Sequence, residues 1–77
     1  MIASCIKQCN VVTTNGTPDI IYWGASVTYV IDGDKVNLAE FHKEDGWEVY
    51  TKRAIITLEE FNEHFTPKDF GTYYANR

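Results

Sequence analysis

Along residues 20–31 the side chains of Ile21, Trp23, Ala25, Val27, Tyr29 and Ile31 alternate onto one side, with Tyr22 and Gly24 on the other. A period of two in a stretch rich in β-branched and aromatic residues predicts one long central strand. Three turn dipeptides punctuate the chain: Asn15-Gly16, Asp32-Gly33 and Asp45-Gly46. Asn, Asp and Gly tolerate the positive φ of tight hairpins, so this spacing predicts a meander. With Asp32-Gly33 as a two-residue turn, Ile31 stands opposite Asp34, Tyr29 opposite Val36 and Val27 opposite Leu38. With Asp45-Gly46 as another, Glu44 meets Trp47 and Phe41 meets Tyr50, pairing a strand near residues 36–43 with one near 47–53.

Residues 54–57 then lead into Thr57-Leu58-Glu59-Glu60, a capping-box pattern in which the Thr57 hydroxyl takes an orphan amide and Glu60 reaches back. Leu58, Phe61 and Phe65 share one helical stripe, and Pro67 requires the helix to stop by Thr66. Near the N-terminus, Ile2, Cys5, Ile6, Cys9 and Val12 fit helical spacing, but Val11-Val12-Thr13-Thr14 before a turn favours a strand over residues 4–14. The tail, residues 68–77, carries Phe70, Tyr73 and Tyr74 around Gly71. The expected fold class is α+β: an antiparallel β-meander of three to four strands with one C-terminal α-helix packed on one face.

Composition narrows the classes of function. A chain of 77 residues supports one hydrophobic core, hence a single small globular domain over residues 1–77. Its formal net charge of -4, with seven scattered basic residues, disfavours direct nucleic-acid binding. No apolar run reaches the length of a membrane span and Lys7-Gln8 interrupts the opening segment, so a cytoplasmic location is expected. In that reducing setting Cys5 and Cys9 remain thiols.

Cys5-x3-Cys9 with His42 and His64 supplies four side chains of metal-ligating type, giving one alternative: a small metal-binding or thiol-dependent protein. The histidines lack the short spacing of structural zinc sites, and no metal or cofactor is assigned. Asp32-Gly33-Asp34 lacks the later ligands of a calcium loop and reads as turn chemistry. Tyr50-Thr51-Lys52-Arg53 pairs an aromatic with cations, as single-strand binders do, but no second basic cluster accompanies it. Glu59, Glu60 and Glu63 make the helix acidic, which also complements its dipole. A second alternative follows, an acidic nucleic-acid mimic that blocks a DNA- or RNA-handling protein.

One helix cannot cover both sides of a sheet. If the odd-numbered side of residues 20–31 lies under the helix, the other side carries Tyr22, Gly24, Phe41 and Tyr50, with Phe41 laid across Gly24. That group is either covered by the N-terminal segment and the tail or exposed as an interaction surface, since aromatic patches on small proteins commonly mark partners. The leading expectation is therefore a non-enzymatic protein-binding module, an accessory, adaptor or inhibitor of the kind mobile elements such as phages encode. Tyr22, Phe41 and Tyr50, or Glu59, Glu60 and Glu63 on the helix, would contact another protein or a second copy of the chain.

Overall fold

A computed structural model describes residues 1–68. The chain runs β1 (Ile2–Cys5), β2 (Cys9–Val12), β3 (Pro18–Ile21), β4 (Ser26–Asp32), β5 (Lys35–Glu44), β6 (Trp47–Thr57), α1 (Leu58–His64) and β7 (Phe65–Pro67). The class is the expected mixed α+β, but where three to four strands were expected the described residues form seven antiparallel strands in two sheets, with one helix late in the chain. The larger sheet has the order β6-β5-β4-β1-β7, and β2 and β3 form a separate two-stranded ribbon. The aromatic tail segment around Phe70, Tyr73 and Tyr74 lies outside the described residues.

The single strand expected over residues 20–31 is broken in two. Tyr22 to Ala25 form a β-turn in which the Ala25 N–H donates to the Tyr22 carbonyl at 3.1 Å. Gly24 occupies its third position at φ +90°, the left-handed conformation that a type II turn demands there. The alternation of apolar residues continues across the break, but Gly24 lets the chain leave the ribbon and enter the main sheet. Trp23 is consequently exposed at the turn instead of lying in the core. The strand expected over residues 4–14 is likewise divided. β1 pairs with β4 and β7, whereas β2 pairs only with β3, so the β2–β3 hairpin is an excursion between two neighbouring strands of the main sheet.

The meander of β4, β5 and β6 is as expected, with one change of register. Asp32 pairs with Lys35, so the turn residues are Gly33 and Asp34. Gly33 sits at φ +63°, matching a type II′ turn with glycine first. Tyr29 thus opposes Leu38, Ile31 opposes Val36 and Ser26 opposes Phe41, a slip of two residues that leaves every side chain on its expected face. The Asp45-Gly46 hairpin has the anticipated pairs, Glu44 with Trp47 and Phe41 with Tyr50. Residues 54–57 are not a lead-in but the end of β6, where Ala54 and Ile56 oppose Leu38 and Val36.

The capping box forms on both sides. Thr57 Oγ1 accepts from the Glu60 N–H at 3.0 Å, and Glu60 Oε1 accepts from the Thr57 N–H at 3.2 Å. The helix stops at His64, and Phe65 continues as an edge strand ending in Pro67, where a missing N–H is tolerated. Phe61 lies against Tyr29 with ring centroids 4.6 Å apart and stacks on Phe65 at 5.3 Å. Together α1 and the ribbon cover one face of the main sheet. Cys9, Val11 and Ile21 from the ribbon and Phe61 from the helix join Ala3, Val27, Val36, Leu38 and Ile56 in one buried cluster.

Candidate functional site

Among the described residues, the opposite face of the main sheet has no such cover. Register sets its rows: Val30, Asn37 and Ile55 lie side by side, and so do Ser26, Phe41 and Tyr50. Val30 is 61% exposed and Ile55 55%, while Tyr50 is 39% exposed and Phe41 half-buried against it. The Phe41 and Tyr50 rings are tilted, with centroids 6.0 Å apart. Beyond them the β5–β6 hairpin runs on as an arm whose tip carries Trp47, 77% exposed.

A β-bulge places these residues together. Between the pairs Leu38–Ala54 and Glu40–Thr51, β6 has one residue more than β5, so Lys52 and Arg53 together face Ala39. That extra residue inverts the alternation, which is why odd-numbered Ile55 and even-numbered Tyr50 share a face. Lys52 adopts φ +51°, a left-handed conformation usually left to glycine. Its side chain turns towards the ribbon, donating to the Ile20 carbonyl at 2.9 Å, with Glu40 at 3.7 Å and Asp19 at 3.9 Å. Arg53 points to the open side, 5.7 Å from the Tyr50 ring centroid.

The anticipated trio of Tyr22, Phe41 and Tyr50 is therefore not one group. Phe41 and Tyr50 meet, but Tyr22 belongs to the turn after β3, on the ribbon's side, with the Lys52 ammonium 5.5 Å from its ring centroid. The pairing of Phe41 with Gly24 fails because Gly24 is outside the sheet and Ser26 takes its place. Val30, Ile55 and Trp47 were not singled out by the sequence. Val30 follows from alternation in β4, but Ile55 requires the bulge, which leaves no pattern that alternation can read.

The acidic helix is largely engaged within the chain. Glu60 completes the capping box. Glu63 accepts from Lys7 Nζ at 2.9 Å, and this contact holds its carboxyl below the usual range. Glu59 is exposed, with no hydrogen bond or ion pair among the described residues.

The thiols and imidazoles are dispersed. Cys5 and Cys9 are buried; Cys5 donates to the Lys7 carbonyl at 3.1 Å. Burial raises both thiols, Cys9 to about 11, so the nucleophilic thiolate is suppressed. His42 is bonded to Glu44 at 3.0 Å on the arm, and His64 Nδ1 donates to the Lys7 carbonyl at 3.2 Å. Among the described residues no three His, Cys, Asp or Glu side chains come together as a metal site. None of the described helices is long and apolar enough to cross a membrane. Set against protein-family models, curated proteins and solved structures, the chain matches none.

Proposed function

We propose that this chain is a non-enzymatic protein-binding module, an accessory, adaptor or inhibitor, that docks its partner on the open face of β4, β5 and β6. The observation that carries this reading is the exposed row of Val30 and Ile55 next to the Phe41–Tyr50 pair. Exposed aliphatic side chains contribute little to folding, yet become favourable when a partner removes them from water, at about 25 cal/mol per Å². A tyrosine and a stacked arginine beside them match the composition of interface centres. The acidic helix is the weaker candidate, because Glu60 and Glu63 already have partners within the chain.

Photo-crosslinking distinguishes the two surfaces. A photoreactive phenylalanine analogue placed at Ile55, and separately at Glu59, is expressed in the native cell and the adducts are identified. Adducts to one protein from position 55 but not from position 59 are expected. Adducts from position 59 alone would move the docking site to the helix, and none from either position would remove the proposal.

A further inference from the structure

The two edges of the main sheet differ. At one, β7 has only three residues and ends in Pro67. At the other, β6 is partly closed: the Thr14 N–H donates to the Arg53 carbonyl at 2.8 Å and Thr13 bridges Ala54. Among the described residues, no strand pairs with β6 on its outer side from Trp47 to Thr51. In a two-residue hairpin the residues flanking the turn bond to each other, so Trp47, Val49 and Thr51 exchange bonds with β5. The N–H and C=O groups of Glu48 and Tyr50 therefore point outwards, away from the sheet.

This open stretch runs into a polar cleft of about 380 Å³ between the bulge and the β2–β3 turn, lined by Thr14, Asn15, Thr51 and Arg53 among others. The arm is also polarised. Glu44, Asp45 and Glu48 outweigh Lys43 near its tip, and Lys52 and Arg53 lie at its base. Lys52 already has Asp19 and Glu40 beside it, whereas Arg53 has no carboxylate within ion-pair distance among the described residues.

We propose that the open edge of β6 pairs antiparallel with β6 of a second copy of this chain, each copy placing its Asp45-Gly46 tip at the other's cleft. Val49 opposes Val49 of the second copy, Glu48 opposes Tyr50 and Trp47 opposes Thr51. The acidic tip of each arm arrives beside Arg53 of the other, so charge favours the antiparallel arrangement and a two-fold axis satisfies both ends at once. Parallel pairing would set acid against acid and base against base. The contact is short compared with a standard interface, so dissociation constants of about 0.1 to 1 mM are expected. It uses the edge of the sheet, not its face: Tyr50 and Arg53 border both surfaces, whereas Val30 and Ile55 belong to the docking face alone.

Sedimentation velocity of the full chain over a concentration series reads the association. Wild type is expected to show a reversible monomer–dimer equilibrium that weakens with added salt. Glu48→Pro removes an outward N–H, and Arg53→Glu places acid against the incoming tip; each should weaken the dimer about tenfold or more. Arg53→Lys should stay near wild type, and so should Phe41→Ser. Should Glu48→Pro fail to fold, the exposed Arg53→Glu carries the comparison. A wild type that stays monomeric to about 1 mM, the weak limit for so small a contact, would overturn the proposal. So would a dimer unaffected by Arg53→Glu, or one abolished by Phe41→Ser but not by the edge variants.

Discussion

Cys9 and Lys52 show how local environment decides what a side chain does. Burial holds the Cys9 thiol neutral, with the Cys5 thiol and the carboxylates of Glu60 and Glu63 adding to the effect. Because its folded value, about 11, exceeds the ordinary 9.0, the stability this supplies is complete below pH 9 and is lost as pH rises through 11. Urea unfolding should therefore show a fall over that alkaline window about 2 to 3 kcal/mol larger in wild type than in Cys9→Ala. Equal falls would mean that the thiol is not sequestered. At Lys52, a left-handed backbone costing about 1 kcal/mol is held by a hydrogen bond to Ile20 and two neighbouring carboxylates. Lys52→Met keeps the strain and loses the contacts, whereas Lys52→Gly loses both. The glycine variant should thus be the more stable of the two by about 1 kcal/mol in chemical denaturation. The reverse order would show that no strain is stored there.

Among the elements, those defined by neighbours in sequence were legible and those defined by distant contacts were not. The capping box of Thr57 and Glu60 and the Asp45-Gly46 hairpin are local devices, and both stand as read. Alternation through residues 20–31 was real, but alternation is blind to a turn that preserves parity, and only the conformation of Gly24 shows that the chain changes sheets. The two-residue slip at Gly33 escaped notice for the same reason. The bulge at Lys52 reversed parity without any glycine to announce it, which concealed Ile55 as a companion of Tyr50. The covered and open faces should respond differently to substitution. Phe61→Ala should cost about 3 to 5 kcal/mol, since its ring is packed between Tyr29 and Phe65. Val30→Thr and Ile55→Thr should each stay within about 0.5 kcal/mol of wild type. Losses above that at either position, measured by thermal or urea unfolding, would mean that the open face is packed.

For the molecule as a whole, the decisive feature is asymmetry. The helix and the β2–β3 ribbon both lie on one side of the five-stranded sheet, leaving Val30, Ile55, Phe41 and Tyr50 on the other. The sequence predicted a second, aromatic face, but it could not show that the ribbon would draw Tyr22 away from it. Proton NMR with a soluble nitroxide measures this directly, because the probe broadens methyl signals it can approach. Strong broadening of the Val30 and Ile55 methyls, with those of Val27, Val36 and Ile21 protected, is the expected result. Protection of Val30 and Ile55 equal to that of Val27 would show that the second face is sealed, and the docking surface with it.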